Sequence, residues 1–423
     1  MRSLVRLVVC LLLFNIVNVS ARNKKISDTE KYSHFFQTWN FLKYYHPAFA
    51  TGKLNADSVF LINVASLPAI TTADPFNALV LKIVKDLDVA NPKFKIVGKT
   101  TGSKLPISKW FLSSSLLTPQ IQQQLSEVYW QRDTAAAYYI PATSYATEIP
   151  NEKVYLYAKT LNIPLNMRLL SLAKLQGVIE YLDPHHSLIE TSWTRVIEKN
   201  IPAFIACSSR QHYEMLLLQI VAQLKDSHAY NRFYSSLSYR REIFKNTQYP
   251  PFDYVLLKDR IVVTHIIIPE FCQQADIKRG DVIKEINGEA ISNRIGKLAK
   301  ILSASNRSAL IHKVGDYATN FIWYADSSMY RLKIKRKGAI KETGIRFALQ
   351  SDKASISQVQ HYLDHKNQLN NTIKGFSILN KSIAYFNIDH IATLLTNVPD
   401  GQLDGKIDSI LTLAIRQKGI IFT

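Results

Sequence analysis

Ala275-Asp-Ile-Lys-Arg-Gly-Asp-Val-Ile-Lys-Glu-Ile-Asn-Gly288 is the stretch on which the architecture turns. Gly280 frees the backbone for a reversal at Asp281. Val282, Ile283 and Ile286 then feed an extended run into a core. Asn287-Gly288 suits a tight hairpin turn, whose central positions favour positive φ. Ahead of it, Tyr254–Leu257 and Arg260–Ile268 are β-branched runs parted by a Lys-Asp turn. Beyond it, Arg331-Leu-Lys-Ile-Lys-Arg-Lys337 alternates basic and apolar residues, as a strand with one solvated face does. Residues 246–348 therefore read as a small β domain.

Upstream the periodicity becomes helical. In His212–Tyr230, HYEMLLLQIVAQLKDSHAY, Leu217, Ile220, Val221 and Leu224 recur at helical spacing and the run closes on Asp226-Ser227-His228. A helix that buries this stripe leaves His228 at its exposed end, fixed yet open to a cleft. Imidazole takes and returns a proton at neutral pH, so His228 is the candidate general base and Ser227 a hydroxyl that helps orient a network. The plainer reading is that both residues cap and solvate a helix end.

A similar pattern lies 137 residues earlier. Tyr44 and Pro47 answer Tyr181 and Pro184, and Val59 answers Val196. Leu79, Leu81, Ile83, Val84 and Leu87 answer Leu216, Leu218, Ile220, Val221 and Leu224. The first copy ends Asp86-Leu-Asp-Val89 without Ser-His, so only the second carries the candidate base. Helices are expected at His34–Leu42, Ser58–Leu67 and Pro75–Leu87. In the second copy Leu172, Leu175, Val178, Ile179 and Leu182 form a stripe that Asp183-Pro184 stops. His185-His186 invites a metal reading, but adjacent histidines diverge and no acid follows at ligand spacing. A polar turn is expected there, with no metal and no cofactor.

Between the copies, Lys93–Val97, Ala137–Ile140 and Lys153–Tyr157 read as extended and Pro119–Trp130 as a helix. Tyr138, Tyr139, Tyr145, Tyr155 and Tyr157 receive no function. After the β domain come a polar linker with a helical portion (349–371), strands at Ser382–Ile388 and Lys418–Phe422, and a helix at Ile407–Arg416.

The 423 residues are 47% hydrophobic with 14 Gly and 15 Pro, a composition of ordered globular domains. The formal charge of +19 fits association with an anionic envelope surface. Its dispersal argues against a nucleic-acid cleft. Arg2 and Arg6, the apolar Leu7–Val17 and the small-residue site Val19-Ser20-Ala21 read as an export signal over residues 1–21. Cys10 falls inside it, and Val9 stands where a lipid-attachment signal wants a small residue. Cys207 and Cys272 remain as the one pair open to a disulfide.

Three motifs carry a resemblance. LKDSHAY resembles the end of the helical domain in tricorn-type serine peptidases, relatives of the C-terminal (tail-specific) processing peptidases. ADIKRGDVIKEING closely resembles the PDZ domain of bacterial peptidases, and WNFLKYYHP resembles segments of exported members of the family. The resemblance implies a multidomain α+β protein. Its parts are a signal peptide (1–21), an N-terminal helical unit (22–92), a mixed connecting region (93–164) and a helical domain ending in the Ser-His motif (165–245). A PDZ-like domain (246–348) follows, then a linker and the start of an α/β peptidase domain (349–423). By resemblance His228 is the general base and Ser227 a member of a catalytic tetrad.

A PDZ domain adds an extended peptide C-terminus as a strand. The candidate groove strand is Phe252-Asp253-Tyr254-Val255, without the glycines common in the carboxylate loop. In the family, the strand answering 418–422 leads to an Asp-x-Arg-Gly turn that supplies oxyanion contacts, and the nucleophilic serine follows. These 423 residues hold neither. The resemblance thus implies an exported peptidase truncated ahead of its nucleophile and inactive alone. Its partners would be peptide or unfolded-protein C-termini and a separate chain carrying the rest of the catalytic domain. The alternative is a non-enzymatic PDZ peptide-binding scaffold of the cell envelope. Ser235, Ser236 and Ser305 lie in no nucleophile motif, nor do the cysteines. The signal reading makes one direct prediction. N-terminal sequencing of the native protein should begin near Arg22, and recovery of Met1 would refute it.

Overall fold

The computed structural model describes residues 24–90, 109–132, 138–140, 149–155, 162–229, 248–325, 327–372, 374–396 and 398–422. The export signal, Lys93–Val97, Tyr145, Tyr157 and Ser235-Ser236 fall outside the described residues. The fold is α+β, divided into two units: Met1–Ile243 with Gly296–Leu310, and Phe244–Ile295 with Ile311–Thr423.

The first unit is helical. Its first repeat comprises α1 (Asp28–Tyr45), α2 (Ala56–Val64) and α3 (Ala73–Ala90), followed by α4 (Pro119–Gln131). Its second comprises α5 (Leu165–Gly177), which continues through a wider π-type turn at Val178–Leu182, then α6 (Trp193–Ala206) and α7 (Arg210–Ala222). All three helix starts of the second copy fall 137 residues after those of the first, so the offset seen in side chains is an offset of structure.

The copies pack reciprocally: α1 lies on α6, and α5 lies on α2. Where α1 meets α5, counterpart residues touch one another. Tyr44 stacks on Tyr181 with centroids 4.8 Å apart. Asn40 donates to the Ala173 carbonyl at 2.8 Å, and a Cβ on its counterpart Gly177 would come within 2.1 Å of Asn40 Oδ1. A residue that touches its own counterpart lies on a local two-fold axis, and Gly177 is glycine because Asn40 needs the room.

The central position of α1 explains its sequence. Ser27 caps it by accepting from the Glu30 N–H at 3.1 Å, and His46-Pro47 ends it. Between these points it is buried on every side, by Phe35, Phe36, Trp39, Phe41 and Leu42 but also by Lys31 and Lys43. Each lysine has a partner. Lys31 Nζ donates to the Ile70 carbonyl at 2.8 Å. Lys43 meets Glu152, which Lys174 also holds at 2.8 Å, and Lys174 reaches Asp57 at 2.7 Å. Burial lowers the Lys43 pKa. It pushes that of Glu152 upward, but the two lysines prevail and hold it below the ordinary carboxylate value. The expected strands of the connecting region do not form over their described parts. Tyr138–Ile140 is a turn, with the Tyr139 ring buried and its hydroxyl accepting from Ala56 N–H, and Lys153–Tyr155 is irregular. Cross-links to α2 replace the ladder bonds a strand would make.

The second unit is built on an antiparallel sheet. Its elements are β1 (Phe252–Leu256), β2 (Ile261–Ile266), α8 (Pro269–Gln274), β3 (Val282–Ile286) and β4 (Glu289–Ala290). After α9 (Ile291–Leu298) and α10 (Arg307–Gly315), which the unit boundaries cross, come β5 (Met329–Arg336) and β6 (Ala339–Arg346). The order is β1-β2-β3-β5-β6, with β4 paired to β3. Asn287 and Gly288 both take positive φ, 53° and 79°, as the hairpin turn requires. Tyr330, Leu332 and Ile334 of β5 are buried, while Arg331 and Lys335 face outward. The short helix that the resemblance implies ahead of the Gly280-Asp281 turn spans Pro269–Gln274. Asp276 takes φ 47° and pairs with Arg336 and Lys341 at 2.9 and 2.5 Å. Arg336 also grips the buried Asp281 at 2.6 Å.

The linker contains α11 (Lys353–Thr372). Beyond it β7 (Phe376–Leu379), β8 (Ile383–Phe386), α12 (Leu403–Ile415) and β9 (Gly419–Phe422) form a three-stranded sheet in the order β9-β8-β7. β8 and β9 run parallel, β8 and β7 antiparallel. Ala384, Phe386, Ile410 and Ala414 make its small core.

Two histidines give the helical unit a pH dependence. His34 is held between the Glu30 carbonyl (2.9 Å) and Ser114 Oγ (3.0 Å), and His46 lies 3.2 Å from Asp88. Burial lowers both pKa values, against the opposing pull of Glu30 on His34 and of Asp88 on His46. The unfolded chain accepts protons near the ordinary value of 6.5 and the folded one resists. Their contribution is therefore whole above that value and is lost as pH falls through it toward the lowered folded pKa. Urea unfolding should show lower stability at about pH 5.5 than at about pH 7.5, and His46→Gln should shrink the difference. An unchanged difference would show that His46 does not titrate with folding.

Candidate active site

Helix α7 starts at Ser209, whose hydroxyl accepts from the His212 N–H at 3.2 Å. Its counterpart α3 continues to Ala90, but α7 stops at Ala222, so its equivalent of the last turn is unwound. Asp226 and Ser227 favour this, since their short polar side chains compete for backbone groups. Lys225 takes φ 51° and turns the chain. Asp226 Oδ1 then accepts from the His228 backbone N–H at 2.9 Å and lies 3.2 Å from His228 Nδ1. With the Nδ1 proton directed at the carboxylate, Nε2 is left as the basic nitrogen. The imidazole is 92% exposed.

The burial of α7 differs from the simple stripe. Leu216, Leu218 and Ile220 are fully buried, whereas Leu217, Val221 and Leu224 are half-buried. α5 differs likewise: Leu169, Leu170, Leu172 and Ala173 are buried, while Leu175, Val178 and Leu182 are half-buried. For α5, packing against α1 and α2 of the other copy covers faces that a surface helix would leave in water.

His228 and Asp226 line a cleft of about 430 Å³, walled on the other side by the turn after α5, Asp183 to Glu190. In the first copy the same joint is bridged by His46 and Asp88. Their counterparts are Asp183 and Lys225: Asp183 Oδ1 accepts from the His185 N–H at 2.8 Å, and Lys225 reaches across the cleft to Glu190 at 2.5 Å. His186 Nδ1 contacts the Asp183 carbonyl at 3.0 Å, so His185-His186 forms part of a polar turn. Among the described residues no group of three His, Cys, Asp or Glu side chains is placed to hold a metal ion.

Ser227 is engaged with residues far along the chain. Its N–H donates to Ser305 Oγ at 2.9 Å, its Oγ accepts from the Ser305 N–H at 3.0 Å, and the two hydroxyls are 3.1 Å apart. The Asp226 N–H donates to Ser303 Oγ at 3.0 Å. The Asp-x-His spacing is the sequence signal for the Asx-type turn and for the contact of Asp226 with the candidate base. No local signal joins Ser303 and Ser305 to the site.

Strand β1 is placed differently. Phe252 and Tyr254 are core residues against Trp323, and Val255 is 49% exposed. Asp253, expected at a groove, is buried. Its carboxylate accepts from the Tyr254 N–H at 2.7 Å and, from α11, from the Tyr362 hydroxyl and from Lys366 at 2.7 Å. Cys207 and Cys272 are both free and buried, and burial pushes the Cys272 thiol up to about 12.

No protein-family model and no curated protein matches the chain. Among the described residues no helix is long and apolar enough to cross a membrane.

The placement of Asp253 has a measurable consequence. Asp253→Ala removes charge-assisted bonds and strands the Lys366 ammonium, so it should lower unfolding stability by about 2–3 kcal/mol in urea titration. A change within about 0.5 kcal/mol would show that the carboxylate is not a structural tie.

Proposed function

We propose that this chain is the base-bearing and peptide-tethering part of an exported serine-type peptidase related to the tail-specific and tricorn-type enzymes. The observation that carries the reading is the Asp226–His228 pair on a cleft at the end of the second helical repeat. A serine hydroxyl is a weak nucleophile until a base accepts its proton. In this reading His228 Nε2 takes that proton, Asp226 stabilises the imidazolium that forms, and the proton then passes to the leaving amine. Ser227 is the tetrad hydroxyl, held in place by Ser305.

The β1–β6 sheet is read as a PDZ-like tether for peptide or unfolded-protein C-termini. Its support is the hairpin at Asn287-Gly288 and the turn at Gly280. The burial of Phe252, Asp253 and Tyr254 restricts the tether to main-chain pairing and Val255. The β7–β9 segment is read as the start of an α/β peptidase domain. Parallel strands are normally covered on both faces. Yet Ile420, Ile421 and Phe422 of β9 are exposed, as are Ile407, Leu411 and Ile415 along α12. An α/β polypeptide that extends the sheet at β9, and brings a nucleophilic serine with oxyanion donors, fits that surface. The periplasm or cell envelope is the compartment implied, and the surplus of positive charge suits anionic envelope polymers. A non-catalytic peptide-binding scaffold is the second reading, favoured by the engagement of the Ser227 hydroxyl with Ser305.

A peptide-cleavage assay separates them. The 423-residue chain alone should not cleave an unstructured peptide above background, because losing oxyanion donors by itself costs about two to three orders of magnitude. With an α/β polypeptide carrying the Gly-rich turn and serine, cleavage should appear, and His228→Ala should abolish most of it. Cleavage that survives His228→Ala would sink the assignment of the base. Absence of cleavage in the completed assembly would favour the scaffold.

A further inference from the structure

We propose that Ser303 and Ser305 are positioning residues for the Asp226–His228 pair, acting from 75 or more positions away in sequence. This rests on the reading of His228 as a base. The turn after α7 presents its Asp226 and His228 side chains to solvent, 53% and 92% exposed. A single contact between two exposed side chains in water loses much of its value to side-chain entropy and screening. The Leu302–Asn306 segment holds the turn by its backbone. Ser303 is 1% exposed, so its hydroxyl is a fixed point, and it receives the Asp226 N–H. Ser305 holds Ser227 in both directions, N–H to hydroxyl each way.

Three of the four bonds involve main-chain N–H groups, so the clamp fixes the backbone at 226 and 227. The Asp226 carboxylate then has one direction in which to meet both the His228 N–H and Nδ1. Holding Nδ1–H on the carboxylate selects the tautomer with a free Nε2, which is the nitrogen a base needs. Neither serine contacts the imidazole in this arrangement. They act through Asp226 and Ser227.

The tautomer is directly readable from ¹⁵N ring shifts of histidine in the labelled full chain, without any peptidase activity. Wild-type neutral His228 should be mainly the Nδ1–H form. Ser303→Ala with Ser305→Ala should shift the majority to Nε2–H, as Asp226→Asn should. Ser305→Thr, which keeps the hydroxyl, should retain the wild-type ratio. Should the double variant unfold, Ser305→Ala against Ser305→Thr makes the same comparison. The proposal is overturned if the hydroxyl-deleted variant keeps the Nδ1–H majority while its helical amide shifts are native. It is equally overturned if the wild type is mainly Nε2–H. The clamp and the peptidase reading fail separately: tautomer control without cleavage by the completed assembly removes only the latter.

Discussion

The crossing of α1 over α5 is the constraint on which the helical unit depends. Two counterpart helices meet on a local two-fold axis, so their closest residues must tolerate themselves. Tyr44 and Tyr181 do so by stacking, since aromatic faces pack in offset pairs. Asn40 and Gly177 do so by asymmetry, one side chain filling the space the other has given up. Together with α6 and the other helices packed on α1, this crossing buries it on all sides and brings Lys43 beneath the surface. A charge there is tolerable only with compensation, and the Glu152, Lys174 and Asp57 network provides it.

The duplication then lets one joint be compared in two chemical states. In the first copy the end of helix three remains wound and an acid–imidazole pair closes the gap, with the His46 ring buried and its pKa lowered. In the second, the last turn is unwound, the joint opens to a cleft, and a different acid–imidazole pair stands in solvent. The same two kinds of group thus meet around a buried imidazole in one copy and an exposed imidazole in the other.

In the second unit the antiparallel and parallel sheets face different demands. The β1–β6 sheet satisfies itself: Trp323, Tyr330 and Phe347 fill its core, and α11 ties Asp253 through Tyr362 and Lys366. The β7–β9 sheet does not, because a four-residue parallel pair with one helix covers little of its own apolar surface. Its exposed isoleucines and Phe422 follow from that geometry rather than from any local sequence error.

By itself the sequence determined the helices from periodicity, the Asn287-Gly288 hairpin from turn chemistry and the repeat from a constant offset, and it singled out His228 as a candidate base from residue type. These are readable because each depends on neighbours within a few positions or on a repeated pattern. Tertiary structure decided which faces were buried, since α5 is covered by α1 and α2, more than a hundred residues earlier in the chain. It also decided that Asp253 is a structural tie to α11. Above all it decided that Ser303 and Ser305 hold the site. Hydrogen bonds across 77 or 78 residues leave no local pattern, because a serine looks the same in sequence whether its hydroxyl meets water or a backbone N–H.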